Sequence, residues 1–469
     1  MVFSSTVFLF LFLPLVLVVY YNPFIRRRAF RNHVLLLFSL AFYAWGEPLF
    51  VLVMMASIVI NWFFARGMAR QEDPRRRRAW MLVPIVFDIG LILFFKYLGF
   101  FARNMGMLLG RPGVVIDIAL PIGISFFTFQ IMSYVLDVYR RDAPVQHNVL
   151  NLGLYISLFP QLIAGPIVRY ETVADQIDNR VETPEDFTRG VTRFVFGLGK
   201  KVLLANYVGL IADNIFAMDR GMSAATAWLG LIAYALQIYF DFSGYSDMAI
   251  GMGQMFGFHF LENFNFPYIA NSVTDFRRRW HISLSTWFRD YVYIPLGGNR
   301  VSGGRWTFNL LTVWLLTGLW HGANWTFVVW GLYYFVFLFV ERKAGFVKKW
   351  GILSHVYTLL VVLIGWAIFR SDTLGAAGKY IGVLFGVGAT APADATFRYY
   401  LSHGWVVLLA AALCTVPVTR WLRTRLEMSG SKWLVALDAG RLVLTAVVFV
   451  LAVLVCIKST YNPFIYFNF

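Results

Sequence analysis

The sequence predicts an all-α, polytopic membrane protein, and three observations lead to this fold class. Of the 469 residues, 59% are hydrophobic and only 14% carry a charged side chain, whereas a soluble chain carries about 25%. The apolar residues occur in runs long enough to cross a bilayer as helices of ~20 residues. Basic clusters separate several of these runs, as cytoplasmic loops of membrane proteins do. We therefore expect roughly ten to twelve transmembrane helices.

The net charge of +16 arises from arginine clusters that lie beside the apolar runs. Positive residues at such places favour the cytoplasmic face and contact with anionic phospholipid. Clusters at Arg26–Arg28 and Arg75–Arg78 therefore predict an N-terminus outside the cytoplasm. Because no basic soluble domain accompanies these clusters, we expect no nucleic-acid partner.

Five spans are predicted before residue 141. Gly46-Glu47-Pro48 divides two of them into a helical hairpin, because proline and glycine interrupt helices. The first span has neither a basic n-region nor a small-residue cleavage site, so we expect it to be retained. The five runs are Phe3–Tyr21, Val34–Trp45, Leu49–Phe64, Trp80–Phe101 and Ile116–Val138.

The middle of the chain is predicted to contain broken helices. Two prolines and a glycine in Pro160–Pro166 predict a bent or re-entrant segment. A polar linker follows, and Thr183-Pro184-Glu185 marks the next helix start. The run Ala227–Phe258 is longer than one span needs, and its polar residues are expected to interrupt it. These residues are Asp241, Ser243, Gly244 and Asp247.

The remaining chain begins with a stretch of low hydrophobicity at residues 263–305, predicted to form amphipathic helices on the cytoplasmic face. The runs Trp306–Trp320 and Trp325–Val340 then predict a helical pair that goes out and returns. The last clear spans are Ile352–Phe369, Trp405–Val418 and Leu442–Ile457, while residues 376–387 are too few to assign.

His321 is the principal candidate for a catalytic residue. It is the only histidine between two long apolar runs that contain no charge, and an ionisable group there costs free energy unless it faces a cavity or a partner. Gly318 and Gly322 flank it at helical spacing, so backbone or substrate can approach closely. The structural alternative is a histidine at a helix junction, hydrogen-bonded to a neighbouring carbonyl.

A second candidate site lies between Asp275 and Asp290. It combines Arg277, Arg278, Arg279 and Arg289 with two carboxylates and His281. Arginine forks match the geometry of phosphate and pyrophosphate, which predicts docking of a phosphorylated donor. Trp280 and Trp287 would then stack on a base or pack in the interface. The alternative is a basic face that binds lipid headgroups.

Other chemistries receive less support. Asp241 and Asp247 suit a proton or ion path in a secondary transporter, or else they cap a broken helix; no inverted repeat supports the transporter. Cys414 and Cys456 lie inside apolar runs and predict neither disulfides nor a zinc site. No His/Cys cluster has metal spacing, so no bound metal or cofactor is expected. Gly-x-Ser-x-Gly is also absent, which argues against an esterase-type nucleophile.

Six motifs in this order resemble the membrane-bound O-acyltransferases, in particular the bacterial branch that acts in alginate O-acetylation. They cover nearly the whole chain. Two positions depart from that branch: Arg277 stands where tryptophan is usual, and Tyr334 stands where histidine is frequent. The motifs are Met1–Ser5, Pro160–Arg169, Phe242–Asp247, Arg278–Tyr291, Leu319–Gly322 and Asn462–Phe467.

The resemblance implies one membrane domain over residues 1–469, with a ring of helices and re-entrant or interfacial segments around a central tunnel. We divide it into N-terminal helices (1–140), a catalytic core (141–345) and C-terminal helices (346–469). The resemblance implies that His321 is catalytic and His281 is the second important histidine. Asp275, Asp290, Asn324 and Asp241 are expected to support the site.

The resemblance also implies the reaction. Acetyl-CoA would donate an acetyl group from the cytoplasm, across the bacterial inner membrane, to an exopolysaccharide such as alginate. Periplasmic acetyltransferases or acyl-relay proteins would be the partners, and the N-terminus would be periplasmic. D-alanyl transfer to teichoic acid from a carrier protein, or acetylation of peptidoglycan or cellulose, remain alternatives.

Overall fold

A computed structural model describes residues 1–111, 113, 116–163, 165–218, 221–345, 350–429, 433–459 and 461–465. All regular secondary structure among these residues is helical, which confirms the predicted all-α class. The first ten helices are α1 (Phe8–Tyr20), α2 (Arg28–Gly46), α3 (Phe50–Ala69), α4 (Pro74–Leu108), α5 (Ile124–Arg140), α6 (Val149–Ser157), α7 (Phe159–Leu162), α8 (Tyr170–Asn179), α9 (Pro184–Phe216) and α10 (Ala224–Met255). The others are α11 (Val273–Arg279), α12 (Ile282–Phe288), α13 (Gly303–His321), α14 (Trp325–Ala344), α15 (Ile352–Arg370), α16 (Leu374–Leu384), α17 (Ala395–Cys414), α18 (Val418–Met428) and α19 (Trp433–Lys458).

Eight helices are long and apolar enough to cross a membrane, namely α3, α4, α9, α10, α14, α15, α17 and α19. The chain is therefore a multi-pass membrane protein, as predicted. Two further apolar helices, α1 and α16, are shorter. Long helices of the described residues thus do not reach the expected total of roughly ten to twelve crossings, and the ring and tunnel stay predictions.

The chain forms two compact units. The first contains Met1–Phe194 and Met248–Leu261, and the second contains Val195–Asp247 and Glu262–Ile465. Because each unit is assembled from separated segments, the division of the sequence at residues 140 and 345 stays a prediction. Ala164, Tyr466 and Phe467, which belong to the six motifs, lie outside the described residues.

Two predicted boundaries in the first unit were wrong. The arginines Arg75–Arg78 lie in the first turns of α4, not in a loop, because Asp73 caps this helix by accepting from the Arg75 N–H at 3.1 Å. The fifth span begins at Ile124 and not at Ile116, since Gly123 precedes it with a φ of 75° that helices do not use. The bend predicted from Pro160–Pro166 is confirmed, because Leu158 separates α6 from α7 with a ψ of 110° and α7 ends at Leu162.

The predicted interruption of the run Ala227–Phe258 was also wrong. Helix α10 continues without a break over 32 residues, so Asp241 and Asp247 do not cap a broken helix. They form ion pairs with Lys201 and Lys200 of α9, each at 2.6 Å. Gly244 allows this approach, since a Cβ there would lie 2.7 Å from the Gly197 carbonyl oxygen. Ion pairs between α9 and α10 thus stabilise the polar residues that were expected to interrupt the helix.

Helices α13 and α14 form the predicted out-and-back pair in the second unit. They cross closely at two glycines: a Cβ on Gly318 would lie 2.4 Å from the Phe327 carbonyl oxygen, and one on Gly331 would lie 2.4 Å from that of Trp314. At the turn, Gly322 is extended, with φ of −177° and ψ of 158°. Close packing of backbone on backbone therefore determines where α13 ends.

Candidate active site

His321 is the last residue of α13 and lies in an aromatic enclosure. Its side chain is 4% exposed. Its ring meets those of Trp320 and Trp330 edge-on at centroid distances of 5.0 Å, and that of Phe369 at 5.2 Å. Burial among rings excludes bulk water, a condition that acyl transfer from a hydrolysable donor requires.

Asn324 orders the turn that follows His321. Its Oδ1 accepts from the Thr326 N–H at 3.1 Å and so caps α14, while its Nδ2 donates to the Asp372 carbonyl oxygen at 2.9 Å. These bonds join the start of α14 to the chain after α15. The structure therefore places Asn324 as a support for the turn.

His281 lies between α11 and α12 and is 3% exposed. Its Nδ1 is 3.1 Å from Oδ1 of Asn263. The ring contacts Phe242 at a centroid distance of 4.7 Å and Trp320 at 5.8 Å. Burial lowers the pKa of His281 to about 3, because removal from water disfavours the charged imidazolium. This histidine is therefore neutral at physiological pH.

Trp320 brings the two histidines into one site. Its ring contacts His281 at 5.8 Å and His321 at 5.0 Å between centroids. In the sequence, the histidines lie in separate motifs, one in the arginine-rich stretch and one in the apolar run. The fold therefore unites the two candidate sites that the sequence suggested separately.

The arginine-rich stretch opens onto a cavity of about 1290 Å³ within the second unit. All four predicted donor-binding arginines line it, together with Arg342, against two carboxylates, Asp275 and Glu341. Another part of the wall is apolar. That part consists of Trp306, Leu310, Val313, Trp314 and Leu338. The cavity thus offers both positive charge and apolar surface to one ligand.

The arginines differ in how far they are already neutralised. Arg279 forms an ion pair with Asp275 at 2.9 Å, and Arg289 forms one with Asp290 at 2.6 Å. In the part of the chain that the structure describes, the guanidinium groups of Arg277 and Arg278 have neither a hydrogen bond nor an ion pair. Partial burial, followed by the charge of Arg278, lowers the pKa of Arg277, yet an arginine stays protonated.

Trp280 does not line the cavity. It packs among aromatic rings, with centroid distances of 4.9 Å to Trp366, 5.1 Å to Phe264 and 5.6 Å to Phe276. Trp287 is likewise buried, 5.2 Å from the ring of Tyr291. The sequence suggested that these tryptophans stack on a base or pack, and the structure shows them packed against other aromatic side chains.

Aromatic contacts link the cavity wall to His321. Trp314 lines the cavity and precedes His321 by seven residues on α13. The two residues therefore lie on the same face of this helix, separated by ~10 Å along its axis. The Trp314 ring lies 6.0 Å from that of Trp330, which lies 5.0 Å from His321. Two ring contacts therefore separate the cavity from the candidate base.

Asp241 lies away from the cavity lining. It is 1% exposed, pairs with Lys201 and accepts from the Ile465 N–H at 3.0 Å. Lys201 in turn donates to the Pro463 carbonyl oxygen. The pair thus secures residues 463–465 against α9 and α10. Within the described ranges, no cluster of His, Cys, Asp and Glu offers ligands for a metal ion, and the absence of a metal stays a prediction.

Two contributors were missed from the sequence. Glu341 directly follows the predicted run Trp325–Val340 and was assigned no part in the site, yet its carboxylate caps α11 and lines the cavity. Asn263 drew no attention, yet it contacts His281. No local signal identifies either one, because their partners lie 68 and 18 residues away.

Known proteins are similar to the part of the chain that contains this site. The model of the MBOAT, membrane-bound O-acyltransferase family, matches residues 138–349. The chain is 45% identical to a probable alginate O-acetylase AlgI of Pseudomonas aeruginosa, over 83% of this chain and 75% of the relative. It is 38% identical to a probable alginate O-acetylase AlgI of Pseudomonas putida over 100% of both chains. A peptidoglycan O-acetyltransferase of Helicobacter pylori is 34% identical over 82% of this chain and 80% of the relative.

The membrane-spanning helices and the family match together define a multi-pass membrane enzyme that transfers acyl groups. The chain belongs to the membrane-bound O-acyltransferase family, and it is an O-acyltransferase. The resemblance to its alginate O-acetylase branch is confirmed.

Proposed function

We propose that this enzyme takes an acetyl group from acetyl-CoA at the cytoplasmic face of a bacterial inner membrane. It then passes the group outward for O-acetylation of an exopolysaccharide such as alginate. The similarity to alginate O-acetylases over most of the chain supports this acceptor class. The arginine clusters beside the spans support a cytoplasmic position of the cavity and a periplasmic N-terminus.

The donor proposal rests on one observation. The guanidinium groups of Arg277 and Arg278, which have no partner among the described residues, line the cavity. Trp314 lines the same cavity and is linked to His321 through the ring of Trp330. A CoA thioester carries phosphates at one end and, at the other, a thin arm that has methyl and methylene groups between its amides and ends in the acyl group. Arginine suits the phosphates through charge-assisted, bidentate hydrogen bonds. The apolar wall suits the arm.

His321 acts as general base in this proposal. Its imidazole takes the proton from a hydroxyl or thiol of the acceptor while that oxygen or sulfur attacks the thioester carbonyl. The new acyl bond forms, the carbon–sulfur bond to CoA breaks, and the CoA sulfur leaves as the thiol with that proton. The enclosing rings hold water away from the thioester.

The acceptor that meets His321 is proposed to belong to a periplasmic acetyltransferase or acyl-relay protein, which hands the acetyl group to the polymer. D-alanyl transfer from a carrier protein to teichoic acid is the principal alternative within the family. Acetylation of peptidoglycan or cellulose would differ from the proposed reaction only in the final acceptor. The similarity to a peptidoglycan O-acetyltransferase supports peptidoglycan as an alternative acceptor.

Donor binding tests the proposal directly. The purified enzyme in phosphatidylcholine nanodiscs should bind acetyl-CoA, and added salt should weaken binding because it screens the phosphate contacts. Arg278→Ala should weaken binding about tenfold or more, since hydrogen bonds to charged groups are stronger than neutral ones. Arg300→Ala is the matched control, because Arg300 is exposed and lies outside the cavity lining.

Two results would overturn the donor assignment. If Arg278→Ala binds acetyl-CoA normally, but its acetyl transfer no longer depends on anionic lipid as that of the wild type does, the arginines bind lipid headgroups. If the enzyme ignores acetyl-CoA but accepts a D-alanyl group from a carrier protein, the alternative donor is correct. Acetyl content of alginate, peptidoglycan and cellulose in cells with and without the gene then identifies the polymer.

A further inference from the structure

We infer that Asn263 is a positioning residue that holds His281 as the tautomer protonated at Nδ1, so that Nε2 presents a lone pair beside Trp320. The inference rests on the proposed function, because it assigns His281 a part in acyl transfer. It adds a residue that lies outside the arginine-rich stretch, on the segment that joins α10 to α11.

The hydrogen bonds around Asn263 determine which way its amide points. The Ser283 backbone N–H, which can only donate, lies 3.2 Å from Oδ1, and the Ser283 hydroxyl lies 2.9 Å from the same atom. On the other side, Nδ2 donates to the Ser246 hydroxyl at 2.9 Å. Turning the amide over would set its NH2 group against the Ser283 N–H. Oδ1 therefore faces His281.

This orientation determines the tautomer of His281. A carbonyl oxygen accepts hydrogen bonds and never donates, so a hydrogen bond across the 3.1 Å contact between Nδ1 and Oδ1 puts the proton on Nδ1. The Ser283 hydroxyl lies 3.4 Å from Nδ1 but only 2.9 Å from Oδ1, to which it donates. In a neutral imidazole the other nitrogen is then an acceptor. Nε2 is buried, and no hydrogen-bond partner reaches it from the described residues. It is therefore available to a donor that enters the site.

The surroundings of His281 keep it neutral. On the packed elements, Asp241 and Asp247 of α10 pair with Lys201 and Lys200, and Arg279 of α11 pairs with Asp275. The other two arginines of α11, Arg277 and Arg278, line the cavity. On α13, His321 contacts the same Trp320 ring as His281 does. Burial lowers the pKa of the His281 imidazole, so the neutral form is favoured.

Asn263 also holds the backbone at this point. Its carbonyl oxygen accepts from the Ile282 N–H at 2.9 Å, while His281 adopts a φ of 46°. A left-handed conformation is uncommon for residues other than glycine and persists where the surroundings enforce it. Asn263 thus sets both the backbone and the proton position of His281.

For the reaction, this tautomer gives the site two acceptor groups with separate tasks. Nε2 of His281 accepts a hydrogen bond from an N–H or O–H group of a bound reactant other than the attacking hydroxyl or thiol, and so orients that reactant. His321 removes the single proton of the attacking group. Without Asn263, the imidazole can rotate or carry its proton at Nε2, and the orienting acceptor becomes a donor.

The first test is nuclear magnetic resonance of the enzyme with ¹⁵N-labelled histidine, in bilayers and without substrate. Of the 7 histidines, the resonance absent from His281→Gln identifies His281. We expect a protonated Nδ1 and a bare Nε2 that persist between pH 5 and 8. A proton on Nε2 would overturn the inference whether or not the enzyme uses acetyl-CoA, so its failure is distinct from failure of the proposed function.

The second test compares Asn263→Asp with Asn265→Asp, an exposed control two residues away. The carboxylate keeps the acceptor but raises the pKa of the adjacent imidazole. Nε2 then gains a proton as the pH falls through the new pKa, so acetyl transfer should collapse at low pH in this variant alone. Asn263→Leu should lose about 10²-fold in kcat at all pH values. If acetyl transfer by Asn263→Asp depends on pH as it does in the wild type, Asn263 has a purely structural role.

Discussion

The Glu341 carboxylate at the end of α14 accepts a hydrogen bond from the backbone N–H of Val273 at 2.7 Å. It also accepts from the N–H of Thr274 at 2.9 Å and from its hydroxyl at 2.7 Å. Negative charge at a helix N-terminus is favourable, and these bonds anchor the first turn of α11. The helix that carries three of the proposed donor-binding arginines is therefore tied to the helix that packs on His321.

Glu341→Ala should weaken donor binding as well as stability. The substitution leaves three donors without their acceptor, and hydrogen bonds to a charged group contribute ~1.5–3 kcal/mol each. We expect a lower Tm and acetyl-CoA affinity reduced about tenfold, because α11 no longer holds its arginines in place. Glu341→Gln keeps one acceptor oxygen and should be intermediate. Glu427→Ala, which removes an exposed partner of Arg423, is the control. Normal affinity in Glu341→Ala would show that α11 is positioned by other contacts.

The ion pair between Lys201 and Asp241 should prove structural. Asp241→Asn leaves a buried ammonium without its counter-charge, which costs ~3–5 kcal/mol. Adding Lys201→Met removes that charge while the asparagine still accepts from Ile465, so the double variant should regain much of the Tm. Proton flux in liposomes tests the alternative that Asp241 belongs to the ion path of a transporter. A substrate-dependent flux that Asp241→Asn abolishes would support a transporter.

Sequence patterns predicted the helices well where apolar runs were bounded by glycine, proline or arginine. The hairpin of α2 and α3 is an example. They failed at α10, because nothing local reveals that Asp241 and Asp247 meet lysines of another helix. The arginines of the donor cavity were identified because their density is visible in the sequence. Glu341 and Asn263 were not, since their roles arise only from tertiary contacts.

Tyr334 stands where the resemblance implied a histidine, and its hydroxyl tests whether that position acts on substrate. The side chain is buried against Trp314 and Trp330, with centroid distances of 5.3 Å and 5.0 Å. Its Oη has no hydrogen-bond partner among the described residues. Since an unpaired buried hydroxyl costs ~1–3 kcal/mol, Tyr334→Phe should equal or exceed the wild-type Tm and keep near-normal activity. A tenfold loss of kcat at unchanged Tm would instead assign the hydroxyl to the reaction.

The most direct test of catalysis is acetyl transfer by His321→Gln. Glutamine retains much of the size and hydrogen bonding of histidine but cannot accept the proton, so a general-base role predicts a loss of ~10²–10⁴ in rate. The measurement is the ester content of the secreted polymer at matched levels of membrane protein, with Arg300→Ala as the folded control. We predict polymer without acetyl groups for both His321→Gln and His321→Ala. Near-normal acetylation by His321→Gln would contradict the account and leave His321 a structural residue at the helix junction.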